Sequence, residues 1–141
     1  MGFLKDGLVD DDSVEHILRQ LPGCQVTFHR AIEAASDVCA AVRHLKRFPQ
    51  IDRVLTSGPP GSWDAKKRFL EDLQLQAKPE MVVIAGGGLD ESLLRRLARS
   101  EELNEFHLGS AARGKTGMVT EERVSSLRRV LDNADEQISG R

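Results

Sequence analysis

Hydrophobic positions along the chain alternate between two periods. "SVEHILRQL" (Ser13 to Leu21) places Val14, Ile17, Leu18 and Leu21 at helical spacing behind an acidic start. "QVTFH" then reads as a strand, and "SDVCAAVRHLKRF" (Ser36 to Phe48) returns to the helical period, with Ser36 or Asp37 as N-cap and Pro49 as the stop. "DRVLTSG" is a second strand, closed by the breaker cluster "GPPGS". Ser62 caps "WDAKKRFLEDLQLQ", with Trp63, Phe69, Leu70 and Leu73 predicted on one face. "MVVIAGGG" is a third strand with a glycine end. Asp90 caps "ESLLRRLARS", "NEFHL" is a fourth strand, and Thr120 caps a closing helix, "EERVSSLRRVLD". Strands near 25–29, 52–56, 80–85 and 104–108, each pair joined through a helix, have the rhythm of βα units. Such units force parallel strands and right-handed crossovers. The predicted class is α/β, with a small doubly wound sheet and half of a (β/α)8 barrel both open on this pattern.

Composition narrows the function classes. The 141 residues are 40% hydrophobic and 30% charged with a net charge of −2, which suits one globular domain. The near-neutral balance offers no field for nucleic acid or an anionic membrane, and "MVVIA" is too short to span a bilayer. The start, "MGFLKDGLVDDD", has neither the basic head nor the apolar core of a secretory signal. Two isolated cysteines, Cys24 and Cys39, suit a reducing, cytoplasmic setting and read as small buried hydrophobes.

Candidate chemistry collects at the carboxyl ends of the strands, the ligand side of any parallel α/β layout. There the chain carries His29 and Arg30, then Thr56, Ser57 and Gly58, then Gly86, Gly87 and Gly88, and finally His107. The triple glycine can turn backbone N–H groups toward an anion, with Ser110 and Arg113 of the next loop completing the site; it reads equally as a bare turn. His29 and His107 are acid–base candidates or satisfied interior histidines. Alternation sets Thr27 and His29 opposite Phe28, and Glu105 and His107 opposite Phe106, so Arg53 is expected to meet Glu105 in a buried interior ion pair. Neither a nucleophile signature nor a strand-end lysine for Schiff-base chemistry is present, so enzymatic activity is left open. The metal ligands of a site are likewise undefined, since two histidines fall short of the usual ligand number.

"VTFHRAIEAASD", "DRVLTSG", "GGG" and "EFH…SAAR", in this order and spacing, resemble the CutC family, historically linked to copper homeostasis. "LKDGLVD" extends the resemblance toward the start. It implies a cytoplasmic, often oligomeric (β/α)8 barrel associated with copper homeostasis and copper binding. A full barrel takes about 250 residues, and the match is to the C-terminal half, strands five to eight. The strand-end set of His29, Arg30, Thr56 to Gly58, Gly86 to Gly88 and His107 carries over. No copper ligand carries over onto Cys24 or Cys39, so copper rests on the resemblance alone. Glu33 stands where Asp is usual after "HRA", Ala85 where Pro precedes the glycines, and "HLGSAAR" is longer than the usual turn. The alternative function is a barrel enzyme or pseudoenzyme that binds a small phosphorylated or carboxylated metabolite at the strand ends. Half a barrel leaves open edges and an uncovered face, so a homo-oligomer or a partner chain is expected to cover them.

Overall fold

A computed structural model of the chain describes residues 1–139. A parallel four-stranded sheet, in chain order, forms its centre: β3 (Val26–Phe28), β4 (Ile51–Thr56), β5 (Val82–Ala85) and β6 (Glu105–Phe106). Ahead of it lie a two-stranded hairpin, β1 (Leu4–Lys5) and β2 (Leu8–Val9), and α1 (Asp11–Gln20). A 3₁₀ turn (Arg30–Ala34) and α2 (Val38–Leu45) join β3 to β4. α3 (Trp63–Ala77) joins β4 to β5, α4 (Glu91–Leu97) joins β5 to β6, and α5 (Glu121–Ser139) follows. The sequential parallel order is the one that βα crossovers dictate.

The caps expected from sequence form. The Asp37, Ser62 and Asp90 side chains accept from the N–H groups of Ala40, Ala65 and Leu93, and the Thr120 hydroxyl accepts from that of Arg123. Some local features differ from the expectation or add to it. Asp10 caps α1 and accepts from Ser13, so that helix starts at Asp11 rather than at Ser13. Asp6 and Gly7, with φ of 52° and 76°, close the β1–β2 hairpin as a left-handed turn, a conformation that the Asp-Gly pair favours. α4 stops at Leu97 rather than at Ser100, because the buried Ser100 hydroxyl donates to Glu71 and accepts from the N–H groups of Glu102 and Leu103, fixing a turn instead.

The core lies between one face of the sheet and the helices. Phe28, Val54, Val83 and Ala85 are fully buried with Val14, Val42, Leu45, Leu70 and Leu73. Of the four residues expected on the buried face of α3, Leu70 and Leu73 are fully buried, Trp63 and Phe69 only half-buried at its edge, and Gln74 and Ala77 complete the face. Buried Gln74 accepts from the Val83 N–H at 2.7 Å and donates to the Met81 carbonyl, tying α3 to the start of β5. The opposite face of the sheet is uncovered. Register aligns Thr27 with Arg53, Arg53 with Val82, Leu55 with Ile84, and Ile84 with Glu105, and all six are half-exposed.

Arg53 and Glu105 meet across β5 in a two-pronged bond of 2.9 and 3.0 Å. The pair is about a third exposed on both sides (35% and 34%) rather than buried, because nothing among the described residues covers that face. It therefore contributes about 1 kcal/mol at most. Among the described residues, no helix is long and apolar enough to cross a membrane.

Candidate functional site

The strand carboxyl ends form a polar network around one residue that the sequence reading left in the background. The 3₁₀ turn after β3 brings Glu33 back over Arg30, three positions earlier. The guanidinium donates through Nε at 3.0 Å and through Nη2 at 2.7 Å. From the end of β4, the Ser57 N–H donates to the same carboxylate at 2.7 Å, the Ser57 hydroxyl at 3.0 Å and the Thr56 hydroxyl at 3.1 Å. Burial pushes the Glu33 carboxyl up, but the donors from Arg30, Ser57 and Thr56 outweigh it and hold the pKa at about 2. Glu33 in turn raises the pKa of Arg30, through hydrogen bonding first and charge second. The donors expected to hold a foreign anion thus already hold one of the chain's own.

Gly58 takes φ +73°, and its N–H donates to the Thr56 hydroxyl oxygen, turning the loop out from β4. Gly87 belongs to the same network. Its φ is +88°, and a Cβ there would lie 2.6 Å from Ser57 Cβ and 3.3 Å from Arg30 Cζ. Gly86 allows a second close approach, to Leu55 and His107, whereas Gly88 faces open space. The triple glycine is therefore a packing device at its first two positions. Ser110 and Arg113 do not join it in one pocket: they line a separate small one with Asp90 and Glu91, and Arg113 donates to the Gly117 carbonyl at 2.7 Å.

His29 Nδ1 accepts from the Ala31 N–H at 3.0 Å and so caps the 3₁₀ turn, which leaves Nε2 to carry the proton of the neutral ring. Its ring packs on Gly2, where a Cβ would lie 2.6 Å from Cε1. His107 is exposed and lies against Gly86 and Gly109. The two histidines follow the outer strands of the sheet, three inter-strand spacings or about 14 Å apart along it.

Beside the Glu33 network lies a cleft of about 600 Å³ between the 3₁₀ turn, the start of α2, the β4–α3 loop and the first turns of α3. Arg30, Glu33, Lys66 and Cys39 give it polar groups; Phe69 and Pro59 are among its apolar ones. Sequence reasoning missed Lys66, which sits among other surface charges of α3 with nothing in the pattern to mark it. A copper centre requires converging ligands, thiolate or thioether for Cu(I) and imidazole for Cu(II). Cys24 precedes β3 at the amino end of the sheet and Cys39 lies beyond the carboxyl end; no group of three or more His, Cys, Asp or Glu able to hold a metal ion occurs among the described residues. The residues described do not fit a copper site built by this chain alone.

Comparison with known proteins fits this geometry. A family model described as the CutC family matches residues 1–112. The human and mouse proteins named copper homeostasis protein cutC homolog are 35% and 34% identical to this chain over 117 residues, 81% of it and 41% and 42% of theirs. A CutC family protein of Bacteroides fragilis is 27% identical over 122 residues, 86% of this chain and 48% of its own length. The crystal structure of CutC from Streptococcus agalactiae superposes with a TM-score of 0.67 at 18% identity, covering 76% of this chain and 53% of that one. The chain spans about half the length of the curated relatives it matches.

Proposed function

The chain belongs to the CutC family, and from that premise we propose that it acts in copper homeostasis in the cytoplasm, as the C-terminal half of a (β/α)8 barrel. The names of its human and mouse relatives carry this reading. The four sequential parallel strands with helices on one face agree with it. Expression in cells lacking their own CutC protein tests it. The chain, alone or together with the first half of a relative, is expected to raise the copper concentration those cells tolerate. Unchanged tolerance in both arrangements would overturn the reading.

A second half-barrel, from another copy or a separate chain, is part of the proposal. Half-exposed Leu55, Val82 and Ile84 on the inner sheet face support it, together with the Arg53–Glu105 pair that such a partner would cover. Analytical ultracentrifugation is expected to find the purified chain self-associated at micromolar concentration. A monodisperse monomer with a cooperative melt would sink this part of the proposal.

A second reading concerns what the strand ends do: they bind a small organic anion rather than coordinate copper. The cleft beside Glu33 favours it, since its volume falls within the usual range of small-molecule sites, about 300–1,000 Å³.

A further inference from the structure

We propose that the cleft takes a small amphipathic carboxylate, with its anion on Lys66 and its apolar body against Phe69, Val38 and Pro59. The inference rests on the small-anion reading above and moves the anion away from the residues that the sequence pointed to. Those residues are engaged. Thr56, Ser57 and the Nε–Nη2 edge of Arg30 are held by Glu33, so a bare phosphate meets these donors already paired with a carboxylate. Asp37 is committed to the start of α2, accepting from the Ala40 N–H at 2.9 Å.

Lys66 remains. It is half-buried at the cleft wall, makes no ion pair among the described residues, and lies with Nζ 4.8 Å from the centre of the Trp63 ring. The Trp63 ring covers one side of the ammonium, and no hydrogen bond among the described residues occupies the rest, so an incoming carboxylate can approach it. That one contact is weak by itself, so affinity has to come from the body of the ligand. The half-buried Phe69 and Val38 and the proline loop provide the apolar wall for it. Acetate and inorganic phosphate lack such a body and are excluded as ligands on that ground.

The chain carries its own reporters. Trp63 is its one tryptophan and lies under Lys66. Cys39 lines the cleft, while exposed Cys24 lies at the other end of the sheet. The probe is 4-phenylbutyrate, compared with 4-phenylbutanol and inorganic phosphate. Phenylbutyrate is expected to change Trp63 emission saturably and to slow alkylation of Cys39 by iodoacetamide but not of Cys24. The alcohol, or the Lys66→Met variant, should bind about tenfold more weakly, and Lys66→Arg should retain binding. Equal binding by acid and alcohol, full affinity in Lys66→Met, or unprotected Cys39 would overturn the assignment. If phosphate instead raises the melting temperature through Arg30, lost in Arg30→Met, the small-anion reading survives and the cleft assignment falls. If neither phosphate nor phenylbutyrate binds, both fall.

Discussion

Replacing Glu33 by alanine is expected to destabilise the fold by about 3 kcal/mol at neutral pH, the worth of a carboxyl pKa moved from 4.5 to about 2. The sign follows from the direction of the shift. A carboxyl with a lowered folded pKa contributes its full stability above its unfolded pKa of 4.5, and loses that contribution as pH falls through the folded value near 2. Wild type should therefore lose stability across that interval, and the Glu33→Ala variant should be flatter there. At neutral pH the variant should melt about 10 °C lower, by the usual conversion for a domain of this size. Other carboxylates titrate in the same range, so the difference between the two pH curves is the measurement. The variant has a second, opposite signature. It frees the Ser57 N–H, two hydroxyls and the Arg30 guanidinium around an empty seat. Millimolar phosphate should then raise its melting temperature while leaving wild type unmoved. Parallel pH curves with no phosphate response in the variant would mean that those donors do not converge on Glu33.

Why the sequence pointed to an anion site, and yet not to this one, follows from what periodicity can carry. His29, Arg30, Thr56, Ser57 and the glycines were legible because strand ends can be located from the alternation, and ligand-side residues follow directly from them. Arg53 and Glu105 were legible in the same way: each alternates with an apolar neighbour, Val54 or Phe106, so both were expected on the polar face of their strands. Their exposure was not legible, because it depends on whether a second half of the barrel covers them. Glu33 lies in a stretch with neither period. Only the 3₁₀ turn folds it back over Arg30, and the pattern "HRAIEA" does not distinguish that turn from the start of an α-helix. The Asp6–Gly7 hairpin had a signal, the Asp-Gly pair, but strands of two residues are too short to show alternation. Lys66 became meaningful only when the cleft between two separate βα units was seen.

The glycines give the sharpest test of how this site is built, because each is constrained in a different way. Gly87→Ala is expected to cost about 3 kcal/mol, combining a left-handed backbone that side chains resist with overpacking against neighbours. With φ at +88°, the added Cβ would meet Ser57 Cβ at 2.6 Å, and the β4 end can move away only by disturbing the seat of Glu33. Gly88→Ala carries the same backbone penalty at φ +83° but meets nothing, so about 1 kcal/mol is expected. Gly86→Ala has no backbone penalty. Its Cβ would strike Leu55 Cδ1 at 2.6 Å, the far end of a half-exposed side chain that can swing toward the open face, and would crowd His107 Cβ at 3.1 Å, so about 1 kcal/mol is expected here too. The expected order of loss in urea unfolding is therefore Gly87 well ahead of the other two. A plain strand-to-helix turn would instead make Gly87 and Gly88 equal, since their φ values are nearly the same. Combining Gly87→Ala with Glu33→Ala separates the two causes further. If the glycine acts by keeping Ser57 under Glu33, the double variant should lose less than the two single losses together. Full additivity would mean that Gly87 and Glu33 stabilise the fold independently, and that the close approach at Ser57 has no part in holding the carboxylate.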